Sequence, residues 1–148
     1  MTSPTIRARR YTWLRTIGYG LLAEIATIAT IIAVMMLIKY ASFQNMSDAE
    51  YASLGERIGK YIGVYGGAIY TYIFARRLMP RVSSRFSEHG IIVALAATTL
   101  SIAGSIAGHQ SVPSEYIFAT LLKILAGARA GFVHLRSLRV HSGGEVRS

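Results

Sequence analysis

The chain is 148 residues long, 52% hydrophobic and 16% charged, with no cysteine and a formal net charge of +9. That length holds one domain or two very small ones. The composition excludes a disordered or collagen-like chain, a disulfide scaffold and any cysteine-based metal or redox centre. A mean hydropathy of +0.39 leans toward a membrane, and the placement of charge decides the matter. Thr16 to Ile38 holds one charged residue in 23, and His89 to Ser114 holds none in 26. A helix on a soluble surface needs a polar face along its length, which these stretches lack.

In chain order, residues 1–15 read as a basic tail and 16–38 as a first span. The basic-then-apolar opening imitates a signal peptide, but the run is too long for a cleavable segment and contains Glu24, so it reads as a retained helix. In the loop that follows, Ser47-Asp48-Ala49-Glu50 is a capping-box pattern that starts a helix leading into span two. Asn45-Met46-Ser47 matches a glycosylation acceptor, a short pattern whose value depends on the source. Span two, 58–75, has only 15 uncharged residues between Lys60 and Arg76, whose long stems can snorkel to the headgroups. Pro80 ends it. Span three covers 90–109. Pro113, Ser114 and Glu115 open span four, 116–135, and 136–148 forms a second tail. Lys123 and Arg129 make span four marginal: two basic residues near the centre cost about +5 to +7 kcal/mol, against about −4 returned by its strong apolar residues. A partner inside the bundle must supply the rest.

The basic residues fix an orientation. Arg7, Arg9, Arg10 and Arg15 precede span one; Arg76, Arg77, Arg81 and Arg85 lie between spans two and three; Arg136, Arg139 and Arg147 follow span four. Eleven of the sixteen basic residues therefore fall on one side, which the positive-inside rule makes cytoplasmic. The expected fold is an all-α integral membrane bundle of four transmembrane helices, both termini inside, in an inner membrane of bacterial type. The same charges fit anionic lipid headgroups with less machinery than they fit nucleic acid.

Helices in lipid approach one another through small residues. Gly59, Gly63 and Gly67 in span two, Gly104 and Gly108 in span three, and Gly127 and Gly131 in span four are the candidate contacts. The span-two ladder packs either within the chain or against a second copy, giving a homo-oligomer or a larger membrane complex. Ala94, Thr98, Ser101 and Ser105 make a similar stripe along span three.

Glu24 is the most informative residue. It sits about 12 Å from the cytoplasmic end of span one, between the depths expected for Arg129 (about 9 Å) and Lys123 (about 18 Å). Glu24, Lys123 and Arg129 are thus one candidate charge cluster. Either it is a buried ion pair that lets span four insert, or Glu24 is a protonatable group in an ion pathway.

Ala23-Glu24 in the first of four short spans resembles the small multidrug resistance transporters over that helix alone, and the resemblance implies a proton-linked role for Glu24. The chain departs from that family in its basic fourth span, in its long outside loop and in lacking the aromatic signatures of helices two and three. His89 and His134 lie at comparable depth and are a weak candidate pair for haem or metal. No nucleophile-base pair, metal-ligand spacing or phosphate loop is present, so neither an enzyme nor a cofactor is expected. The sequence favours a non-catalytic packing, scaffold or accessory subunit; the competing class is a small proton-linked transporter or channel using Glu24.

Overall fold

The computed structural model describes the backbone of residues 4–41, 47–107 and 114–144, with side chains over 12–40, 47–107 and 114–138. The Asn45 acceptor, Gly108 and Pro113 lie outside the described residues. The elements are α1 (Pro4–Ala41), α2 (Asp48–Tyr61), a π turn (Ile62–Gly66), α3 (Gly67–Leu78), a 3-10 turn (Met79–Arg81), α4 (Phe86–Ala107) and α5 (Glu115–Gly144). Tyr61, Ile62, Gly66 and Gly67 all keep right-handed helical dihedrals. Hence α2, the π turn and α3 form one rod, and the described chain is four helical rods with no strand.

Two helix ends differ from expectation. α1 starts at Pro4, whose fixed φ and missing N–H suit the first helical position, so the helix runs through residues assigned to a tail. α5 likewise continues to Gly144, since nothing after residue 135 stops it. α2 opens as expected: the Glu50 N–H donates to the Ser47 hydroxyl, and the Ser47 N–H donates to the Glu50 carboxylate at 2.9 Å. That backbone N–H, followed by the Ser47 hydroxyl, holds the Glu50 carboxyl below its ordinary value. A lowered carboxylate leaves the cap intact at neutral pH, and the cap is lost only as pH falls through the lowered value.

The outward faces are apolar, and several polar side chains join the apolar ones in the interior. Ile25, Leu125 and Phe132 are more than half exposed, while Thr16, Glu24, Thr27, Thr71, His89, Thr98 and Lys123 are buried. α1 shows why. Thr16, Gly20, Ala23, Glu24 and Thr27 recur at helical spacing on the inner face, and Ile17, Leu21, Ile25, Ile28 and Ile32 take the outer one. Three helical segments, Thr12–Tyr40, Phe86–Ala107 and Glu115–Leu138, are long and apolar enough to cross a membrane. The second rod is not among them, because the π turn divides it into α-helices of 14 and 12 residues.

Backbones touch where glycine allows. A Cβ on Gly90 would fall on the Gly127 carbonyl, and one on Gly127 would fall on the Gly90 carbonyl. A Cβ on Gly131 would stand 2.6 Å from the Phe86–Ser87 backbone. Gly20 brings α1 onto α4 in the same way, beside Val93 and Ala96.

The two ends of the bundle are unlike. At one end the start of α1, the α3–α4 turn and the later part of α5 meet, with Thr16 against His89, Arg81 against Tyr19 and Phe86 against His134. Ala75, Leu78, Met79, Val82, Phe86, Val93 and Ala130 form a solid core behind them. At the other end Tyr51 bonds the Met35 carbonyl, Ser105 meets Tyr116 and Lys60 meets Glu115. There the rods separate.

Candidate functional site

Between the separated rods lies a cavity of about 950 Å³. Glu56, Lys60 and Glu115 stand at its mouth, and Glu24, Thr98, Ser101 and Lys123 stand at its floor. Lys60 and Glu115 bridge the mouth at 2.5 Å, a half-exposed pair whose energetic worth is small. The floor is different. Lys123 Nζ donates to Glu24 Oε2 at 2.6 Å and to Ser101 Oγ at 3.3 Å, and Ser101 Oγ donates to Glu24 Oε1. The two charged side chains are 5% and 8% exposed, so each carries a desolvation cost that only its partner offsets.

Each member is delivered by its own helix. Glu24 comes from the inner stripe of α1 and Ser101 from the small-residue stripe of α4. Lys123 reaches the floor from α5 by crossing Gly67: a Cβ there would lie 2.6 Å from Lys123 Cε. Gly67 is the first residue after the π turn, and its N–H donates to the Ile62 carbonyl five residues back. Such single wide turns recur at functional sites. Here the extra residue ends the every-fourth-residue ladder: Gly67 faces α5, whereas Gly59 and Gly63 line the cavity.

Arg129 does not join the cluster; it is on the exposed side of α5. Six residues beyond Lys123 turn the helix by about 240° from that face at 3.6 residues per turn. Depth along the helix left both cations available to Glu24, and rotation about its axis selects Lys123. Gly127 and Gly131 sit in helix contacts, but a Cβ on Gly59, Gly63 or Gly104 would meet nothing within 4 Å among the described residues, and these three form cavity wall instead. The two histidines have separate partners. His89 Nδ1 lies 2.7 Å from Thr16 Oγ1 with the ring stacked on Trp13, while His134 meets the Phe86 ring edge-on.

Thr98 and Ser101 were legible only as packing residues of the α4 stripe. Thr98 is the odd one. Thr27, Thr30, Thr71, Thr99 and Thr120 each donate to the carbonyl four residues earlier. The buried Thr98 hydroxyl has no hydrogen-bond partner among the described residues.

The class these features define is an all-helical chain with three helices of membrane-crossing length and apolarity, and a buried ion pair beneath a cavity. No family model matches the chain, and no curated protein or solved structure matches it.

Proposed function

We propose that the protein is a four-span integral membrane protein with both termini cytoplasmic, whose bundle carries a proton-linked solute pathway gated by Glu24 and Lys123. The observation that carries the reading is the cavity of about 950 Å³ ending on a buried, charge-compensated pair. Filling that space with apolar side chains would serve a purely packing subunit better, since buried pairs seldom add stability over apolar replacements. The solid core at the arginine-rich end supports a state open to one side only. The one-sided arginines support an even span count, with the α3–α4 turn and both termini against anionic cytoplasmic headgroups. The interrupted second rod crosses with Lys60 and Arg76 snorkelling at its ends.

Proton entry into proteoliposomes, followed with a trapped pH dye under an imposed gradient in mixed nitrate, acetate and sodium salts, tests this. Wild-type protein is expected to carry protons above the rate of empty vesicles, and Glu24→Gln to abolish the excess. Equal rates in the wild type, the variant and empty vesicles would return the protein to the accessory class. That second reading is favoured by one observation. Among the described residues the wall of Gly59, Gly63 and Gly104 has no partner and is smooth enough to receive a helix of a second copy or of a larger complex.

A further inference from the structure

We propose that the cavity floor binds a small monovalent oxyanion on Lys123 and Thr98, together with one proton on Glu24. This rests on the proton-linked reading above and names the class of solute.

The hydrogen-bond inventory at the floor points to an anion. Both Glu24 oxygens already accept, one from Lys123 and one from Ser101. The proton of Ser101 is spent on Glu24. Two donors remain: the third N–H of the Lys123 ammonium, which has three, and the Thr98 O–H, which forgoes the Ala94 carbonyl that its position offers. Thr98 lines the cavity with its hydroxyl oxygen covered, so a ligand oxygen meets that O–H once the side chain turns it toward the floor. A buried hydroxyl without a partner is costly, and a ligand oxygen at the floor removes that cost. A cation would instead have to share the Glu24 carboxylate with the Lys123 ammonium, against like-charge repulsion at close range.

Charge balance then ties the anion to a proton. The resting pair sums to zero. Protonating Glu24 alone leaves Lys123 as an uncompensated charge on a buried side chain, which is strongly unfavourable. Bringing an anion to Lys123 alone leaves two negative groups around one cation. Bringing both keeps the sum at zero: Glu24 becomes a neutral acid, Lys123 stays an ammonium, and the anion replaces the carboxylate as its counter-ion. The proton comes from water in the cavity and leaves with the anion, so movement of the two is electroneutral. The other titratable groups facing this volume are Tyr116 on α5, Glu56 and Lys60 on α2, and Glu115 at the start of α5, all nearer the mouth. Lys60 and Glu115 neutralise each other there.

Nitrate is the probe, because it is an oxyanion that carries no proton of its own near neutral pH. Nitrate binding to the full-length protein in detergent, in weakly buffered solution with a pH indicator, is expected to take up about one proton per anion. Its affinity should rise tenfold for each unit of pH lowered while the free pair is ionised, as one-proton linkage requires. Glu24→Gln, which resembles the protonated acid and leaves Lys123 without a counter-ion, should bind nitrate more tightly than wild type at neutral pH. Thr98→Val should melt no lower than wild type, because its hydroxyl has no partner to lose, yet bind nitrate about tenfold more weakly. Nitrate binding without proton uptake, no binding at any pH, or unchanged affinity in Thr98→Val would each overturn the proposal. Proton release on addition of sodium would overturn it in favour of a cation. In all of these cases Glu24-dependent proton flux would still uphold the pathway, and its absence would remove the pathway too.

Discussion

Replacing Lys123 with methionine is expected to lower stability by about 3–5 kcal/mol, and replacing Glu24 with leucine in the same chain to restore most of it. The single change removes the ammonium from a carboxylate that is 8% exposed, leaving a buried charge whose remaining donor is Ser101. Breaking a buried pair costs that much, whereas exchanging both members for apolar residues of similar volume is often neutral or stabilising. Ser101 loses its acceptor in the double variant but can turn its proton to the carbonyl of Ala97, four residues earlier. Thermal melting in detergent of the wild type, both single variants and the double variant measures the coupling directly. Additive losses would mean that the two groups do not form a buried pair. The double variant also separates two roles, since it should be folded and carry no protons.

Gly90→Val and Gly127→Val are expected to be the most damaging apolar substitutions. Each glycine's missing Cβ points at the other's carbonyl, so α4 and α5 cannot accept even a methyl without moving apart. Overpacking typically costs about 1–3 kcal/mol where flexible side chains can yield; against backbone the loss should reach or exceed that upper value. By contrast, Gly59→Ala, Gly63→Ala and Gly104→Ala meet open space and should melt at or above the wild-type temperature, since alanine is favoured over glycine in a helix interior by about 1 kcal/mol. Melting of these five variants, with light scattering to follow size, separates contact glycines from wall glycines. Loss of an oligomer in the Gly59 or Gly63 variant would instead assign that wall to a second copy.

The sequence carried the helical layout well and the site in part. Long apolar runs marked α1 and α4, the one-sided arginines kept α5 as a span in spite of Lys123 and Arg129, and Ser47-Asp48-Ala49-Glu50 marked the start of α2. The π turn was hidden, because Gly63 and Gly66 within it read equally well as small-residue helix contacts. Its effect on the Gly59, Gly63, Gly67 ladder was hidden with it: an i, i+4 stripe is one face only if every turn has the same width. Glu24 and Lys123 stood out singly, as charges that lipid would not tolerate unpaired. Choosing Lys123 over Arg129 required the rotation of α5 against α1, which depends on the Gly90–Gly127 contact and on Gly67 clearing the lysine stem. Neither is a property of one helix alone. Thr98 shows the same limit, since an unspent hydroxyl is recognisable only when every neighbour's bonds are known.

The chain contains no cysteine, so single cysteines can report directly whether water reaches the ion pair and from which side. Ala119 lines the cavity one turn above Lys123, Ser53 is exposed on α2 one turn before Glu56, and Val93 is buried in the core. With a membrane-impermeant charged thiol reagent, Ala119→Cys and Ser53→Cys should both react from the face opposite the arginine-rich turn, and Val93→Cys from neither face. Labelling of Ser53→Cys without Ala119→Cys, or labelling of Ala119→Cys from the arginine-rich face, would contradict a water-filled cavity that opens outward above Glu24 and Lys123.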